Sequence, residues 1–103
     1  MTYVDRIVDL LDAVNERPLV YLAKCEPERV NILLSGISYG IDAVGMSHPS
    51  LENTIKAYGD RGWNFNALGA VPSMRAQNLS DEEIVKEILT CERNAWKALG
   101  DAT

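Results

Sequence analysis

Residues 78–100 read NLSDEEIVKEILTCERNAWKALG and carry a helix start signal, an apolar stripe and a helix stop signal in one continuous stretch. Ser80 followed by Glu83 is the capping-box pattern, in which the serine hydroxyl accepts from the Glu83 amide and the glutamate carboxylate accepts from the Ser80 amide. The helix is therefore predicted to begin at Asp81. Gly100 is predicted to end it in the left-handed conformation that glycine adopts without strain.

The same stretch also provides the apolar face of this helix. Apolar residues recur at three- and four-residue spacing, as in an amphipathic helix that packs on a core. They are Ile84, Val85, Ile88, Leu89, Cys91, Ala95, Trp96 and Leu99. A face of this width can contact several other helices, so the helix is predicted to be the centre of the fold.

The N-terminal segment predicts another amphipathic helix. Thr2 precedes apolar residues at helical spacing, so residues 3 to about 16 are expected to be helical. Pro18 stops this helix, because the residue before a proline is displaced from the helical region. The stretch PLVYLAK, residues 18–24, is predicted to be a tight or extended connection, with a short strand around Val20 as the alternative.

Pro27 opens a further predicted helix, because its missing amide is not needed in the first helical turn. The apolar period continues to about Val44, where the helix is predicted to end. Gly36 and Gly40 lie four residues apart, which lets another backbone approach closely, and we expect close packing in the core there. A strand over residues 37–44 is the alternative, since each helical glycine costs about 1 kcal/mol.

The middle of the chain predicts a shorter helix and irregular turns. Ser47 or Ser50 is expected to cap a helix around Pro49, and Gly59 or Gly62 is expected to end it. The large apolar side chains of GWNFNALG, residues 62–69, are expected to pack against the bundle. Pro72 is predicted to open a short helix before the C-terminal one.

Together these segments predict one all-α domain over residues 1–103, a compact bundle of four to five helices. The 47% apolar and 24% charged residues are typical of a globular protein. No apolar run approaches the roughly 20 residues that cross a bilayer, and the N-terminus does not resemble a secretory signal, so a cytoplasmic location is expected. The net charge of −5 disfavours nucleic acid and membrane surfaces as partners and favours a basic partner.

No pattern of residues indicates catalysis or metal binding. His48 is the only histidine, and the sequence gives it no spaced carboxylate, serine or cysteine partner for nucleophilic catalysis. Cys25 and Cys91 are far apart in the sequence and are expected to be structural thiols. We therefore predict no catalytic residue, no cofactor, no metal site and no enzymatic activity.

Four acidic residues form the candidate partner-binding site. Asp5, Asp9, Asp12 and Glu16 follow one another at spacings of four, three and four residues. On a helix, these spacings place the carboxylates in one stripe opposite the apolar face. Like charges at such spacings destabilise an isolated helix by a few tenths of a kcal/mol each. The stripe is predicted to dock a basic protein, and a solvated face that keeps the protein soluble is the alternative.

Residues 72–88, PSMRAQNLSDEEIVKEI, have the outline of a helix-turn-helix. The helix that would enter the major groove begins with Asp81, Glu82 and Glu83, which would place three carboxylates toward the DNA phosphates. A helix-turn-helix regulator is therefore only an alternative function.

Three short stretches resemble a known pattern: Arg17-Pro18, Tyr21-Leu22 and Leu33-Leu34-Ser35-Gly36. They are similar to Arg-Pro-x-x-Tyr-Leu followed by a helix with Phe-Leu-x-Gly-Tyr, as found in small bacterial proteins that include immunity proteins of polymorphic or contact-dependent toxin systems. The resemblance covers about residues 17–45. It departs at Leu19-Val20, where the pattern has Gly-Met, and at Ile37, where the pattern has an aromatic residue.

The resemblance implies a small cytosolic protein that blocks a cognate toxin, often a nuclease with a basic substrate-binding face. It implies no catalytic residue. With the acidic charge, it leads to the prediction of a non-enzymatic immunity protein whose partner is a basic toxin domain. A structural or adaptor subunit that forms a homodimer through excess apolar surface is a further alternative.

Overall fold

The computed structural model describes residues 2–102, and over this range it contains helices and no strand. The helices are α1 (Tyr3–Glu16), α2 (Pro18–Leu22), α3 (Pro27–Ala43), α4 (Leu51–Gly59), α5 (Val71–Ala76) and α6 (Asp81–Asp101). The all-α prediction is confirmed. Within the same range, no helix combines the length and the apolar composition that a bilayer span requires.

The helix α6 is the centre of the bundle and begins at Asp81, as predicted. The Ser80 hydroxyl accepts from the Glu83 amide at 3.2 Å, and a Glu83 carboxylate oxygen accepts from the Ser80 amide at 2.9 Å. α1 packs along α6, and α3 and α4 also contact it. The largest fully buried side chains among the described residues are Leu11, Met74, Ile84, Leu89, Val14, Val30, Val85 and Cys91.

Gly100 does not end α6, so the predicted stop signal is wrong. The helix continues to Asp101, and its cap residue Ala102 has a right-handed conformation. Gly100 instead lies against α1, where a Cβ atom at this position would stand 2.9 Å from Cγ1 of Val4. The glycine permits a close approach between the first turn of α1 and the last turn of α6.

The helix α1 covers residues 3–16, as predicted. It begins with a second capping box, because the Thr2 hydroxyl accepts from the Asp5 amide and the Asp5 carboxylate accepts from the Thr2 amide, both at 3.2 Å. Its buried face consists of Val4, Val8, Leu11 and Val14.

Residues 18–22 form the short helix α2, so both predictions for this segment, a connection and a strand, are wrong. Pro18 holds the first helical position, where its fixed φ favours the helical conformation. Only Leu22 of this helix is buried. Its other apolar side chains, Leu19, Val20 and Tyr21, are exposed.

The helix α3 confirms the helical prediction for this region and excludes the strand over residues 37–44. Gly45, with φ 72°, follows its last turn. Gly36 and Gly40 do not pack in the core, contrary to our expectation, because they lie on the side of α3 away from the buried Val30. A Cβ atom at either glycine would meet no atom within 4 Å.

The segment between α3 and α6 is mostly as predicted. The Ser50 hydroxyl caps α4 by accepting from the Asn53 amide at 3.1 Å. Trp63 and Phe65 pack against the core, whereas Leu68 is 80% exposed and does not. Leu68 points outward because it lies in the tight turn that Asn66 and Gly69 close with two backbone hydrogen bonds.

Candidate functional site

All four carboxylates of the predicted stripe lie on the exposed side of α1. Two of them already have a role in the fold. Asp5 closes the capping box, and Asp12 accepts a hydrogen bond from Nε of Arg93 at 3.2 Å. Among the described residues, Asp9 and Glu16 make no ion pair. The stripe therefore exists, but only these two members keep an unpaired charge.

The sequence does not reveal the pairing of Asp12, because Arg93 is 81 positions away and reaches α1 only through the packing of α6. Arg93 and Lys97 also line a wide cavity of about 960 Å³ between α1 and α6, together with Asp5, Asp9 and Asp12. These basic side chains reduce the negative potential along the first three turns of α1. Glu16 does not line this cavity and lies farther along α1.

Glu16 lies beside the exposed apolar residues of α2. A cleft of about 590 Å³ is lined by Glu16, Arg17, Pro18, Leu19, Val20, Cys25, Glu82 and Lys86. Leu19 is 65% exposed and Val20 is 73% exposed. We call Asp9, Glu16 and these two apolar residues the α1–α2 surface.

The charges inside the cleft balance. Glu82 lies 3.6 Å from the Lys86 ammonium group, and Glu16 and Arg17 contribute one charge of each sign. Apolar contact with Leu19 and Val20 is therefore the main source of affinity that the cleft offers to a partner. The sequence did contain a signal for this surface, namely three successive large apolar residues after a helix-opening proline.

The two cysteines have environments that favour the protonated thiol. Burial is the main reason why the pKa of Cys25 is raised and that of Cys91 is raised to about 12. His48 is exposed, with Nε2 3.0 Å from a carboxylate oxygen of Asp42. Between residues 2 and 102, no three His, Cys, Asp or Glu side chains are grouped closely enough to share a metal ion.

The helix-turn-helix outline is present in α5, the turn at Asn78 and α6, but α6 is the buried helix of the bundle. Its middle residues lie between α1, α3 and α4. The acids of its first turn have local partners: Asp81 accepts from Arg75 at 2.7 Å, and Glu83 belongs to the capping box. The exposed side chains of its first turn are the acids Asp81, Glu82 and Glu83, which would face the DNA phosphates with like charge, so we do not propose DNA binding.

Comparison of the chain with models of protein families, with curated proteins and with solved structures gave no significant match. The resemblance over residues 17–45 therefore stays a prediction. In the structure, its residues form the junction of α1 and α2 and part of α3. Leu22 is buried and Leu33 and Leu34 are partly buried, so these positions support the fold.

Proposed function

We propose that this protein is a non-enzymatic, cytoplasmic inhibitor that binds a basic protein toxin, as immunity proteins do. The observation that carries the proposal is the α1–α2 surface, where Leu19 and Val20 are exposed beside Glu16. Exposed apolar groups with polar residues around them are typical of protein-binding sites.

Leu19 and Val20 supply the affinity in this proposal. α2 is held in the bundle by Leu22, so its two exposed neighbours contribute little to the core. A partner that covers them removes apolar surface from water, which stabilises a complex by roughly 25 cal/mol per Å². Docking therefore explains these side chains better than folding does.

Asp9 and Glu16 supply the preference for a basic partner. They carry charges without an ion-pair partner in residues 2–102, and the whole chain has a net charge of −5. Such a field attracts a basic surface and accelerates its association. The basic substrate-binding face of a nuclease toxin has the matching charge.

The product of the gene directly upstream serves as the toxin in the test of this function. Bacteria that express this product alone should stop growing, and bacteria that also express the present protein should survive. Leu19→Ser should abolish the protection, because it removes apolar contact at the centre of the surface. An upstream product that is harmless, or that kills despite co-expression, would overturn the proposal.

A matched control for this variant is Leu51→Ser on α4, since Leu51 is 68% exposed and Leu19 is 65% exposed. Both variants should melt at nearly the wild-type temperature, because neither side chain is buried. Only Leu51→Ser should still protect the cells. Equal protection by the two variants would exclude the α1–α2 surface as the docking site.

A homodimeric subunit is a second candidate function, favoured by the outer face of α3. Ile32 is 70% exposed and Tyr39 is 75% exposed on this face, next to the open space at Gly36. In an antiparallel pair of α3 helices, Ile32 would face Tyr39 of the second copy, and Arg29 would face Asp42. Sedimentation tests this pairing: wild type should dimerise and Tyr39→Glu should not, whereas a wild-type monomer at millimolar concentration would refute it.

A further inference from the structure

A cavity of about 420 Å³ opens between α3, α4, α6 and the segment of residues 65–71. Buried side chains, among them Tyr58 and Ile88, form its inner end. Two side chains in contact with solvent, Tyr39 and Leu68, border its outer end. The volume lies in the range of small-molecule sites in proteins, about 300–1,000 Å³.

Glu92 is the acidic residue of this cavity. No lysine, arginine or histidine from the described part of the chain lines it. The Glu92 carboxylate accepts a hydrogen bond from the Tyr58 hydroxyl at 3.4 Å, and among residues 2–102 it makes no ion pair. Burial raises the pKa of Glu92 to about 7, because removal from water disfavours the charged form. The carboxylate thus lies in a cavity that mixes apolar and neutral polar side chains and receives no cation from residues 2–102.

Glu87, on the same helix, shows how a cationic partner changes the pKa of a glutamate. Arg61 donates two hydrogen bonds to the Glu87 carboxylate, at 2.9 and 2.7 Å, and the Trp63 indole donates a third at 2.8 Å. The Arg61 guanidinium holds the pKa of Glu87 below its ordinary value. Burial is the main influence on the pKa of Glu92 and the Arg61 hydrogen bonds are the main influence on that of Glu87, which has the cationic partner that Glu92 lacks among the described residues.

We propose that this cavity binds a small molecule that carries an ammonium group on an apolar ring or a short apolar chain. The ammonium group supplies the cation that Glu92 lacks, and the apolar part contacts Leu34 and Leu68. The rings of Tyr58 and Phe65, with centroids 4.8 Å apart, add aromatic faces that attract cations. The cavity shares no lining residue with the cleft at α2, so this binding is separate from the proposed toxin inhibition.

Binding of an ammonium group should depend on the charge of Glu92. The other titratable groups in the lining are the phenols of Tyr39 from α3 and Tyr58 from α4, and residues 65–71 contribute none. Burial raises the pKa of Tyr58, which keeps that phenol neutral. Affinity is therefore expected to fall as the pH decreases from about 8 to about 5 and Glu92 becomes protonated.

Benzylamine is the probe, and benzyl alcohol is its neutral counterpart of the same shape. Titrations of the full chain, followed by NMR shifts of the Leu34, Ser38 and Phe65 amides, should show that benzylamine binds at least about tenfold more tightly than benzyl alcohol. Saturation with benzylamine should lower the pKa of Glu92, measured on its carboxyl carbon. Glu92→Gln should remove both the preference for the amine and its pH dependence.

Glu82→Gln is the control variant, since Glu82 is an exposed glutamate of α6 outside the cavity, and it should bind benzylamine as the wild type does. Equal affinity for the amine and the alcohol, an unchanged Glu92 titration, or no binding of benzylamine to the wild type would each overturn the proposal. Tighter binding of a lysine-containing peptide than of benzylamine would assign the cavity to a protein side chain and would also overturn it.

Discussion

Gly100 of α6 lies directly against Val4 of α1, and a Cβ atom at Gly100 would stand 2.9 Å from Cγ1 of Val4. Val4 is buried and branched at Cβ, so it has little freedom to move away. Gly100→Ala should therefore force the two helices apart. Overpacking of this kind costs about 1–3 kcal/mol, and the better helix propensity of alanine returns about 1 kcal/mol. We expect a net loss of about 1 kcal/mol in the free energy of unfolding, measured by urea denaturation.

Gly36→Ala is the matched control, because Gly36 also lies inside a helix but has no atom within 4 Å of the added methyl group. This change should raise the free energy of unfolding by roughly 0.5–1 kcal/mol through helix propensity alone. Equal effects of the two substitutions would show that α1 and α6 do not approach closely at Gly100.

The start of α6 depends on the Ser80 cap. Ser80→Ala removes the acceptor for the Glu83 amide and should lower the free energy of unfolding by about 1 kcal/mol. Ser47→Ala, in the exposed loop before α4, removes a hydroxyl that caps no helix and should leave stability nearly unchanged. Urea midpoints that are the same for both variants would contradict the assigned helix start.

The half-buried Glu92 predicts a fall in stability as the pH rises. Its folded-state pKa of about 7 is above the ordinary value of 4.5, so the folded protein binds the additional proton between these values. The contribution of Glu92 to stability is therefore greatest below about pH 4.5, and it decreases as the pH rises from this value through about 7. Glu92→Gln should raise the free energy of unfolding by on the order of 2 kcal/mol at about pH 8 and change it little at about pH 4.

Glu87 should behave in the opposite way, because hydrogen bonds from Arg61 lower its pKa. Its contribution is present above the ordinary value of 4.5 and is lost as the pH falls through the lowered folded-state pKa. Glu87→Gln should therefore destabilise the protein at neutral pH and have a smaller effect in acid. Urea denaturation of both variants across the pH range separates the two groups, and parallel curves would contradict the different environments described for them.

The sequence predicted those parts of the fold that depend on residues close together along the chain. Ser80 and Glu83 are three positions apart, and the capping box needs nothing beyond them. The role of Gly100 has no local cause. A glycine near the end of a helix predicts a stop, and the contact with Val4 that explains Gly100 exists only in the folded chain. The partner of Asp12 was hidden for the same reason, because Arg93 approaches it only in the folded chain.

The candidate site was predicted in part. The helical spacing placed Asp9 and Glu16 on one exposed face, and the structure confirms that position. The exposure of Leu19 was not predicted, because a five-residue helix has too few residues for a periodic pattern. The cavity at Glu92 was not foreseen either, since α3, α4, α6 and residues 65–71 come together there only in the folded chain.

In the proposed function, Glu16 of the α1–α2 surface faces a basic partner and accelerates its association. The most direct test is the association rate with the upstream gene product, at low and at high salt, for wild type, Glu16→Lys and Glu52→Lys. Both variants change the net charge by the same amount, and both glutamates are exposed. At low salt, Glu16→Lys should associate about tenfold more slowly than Glu52→Lys, and high salt should reduce the difference. Equal rates for the two variants at low salt would contradict docking at Glu16.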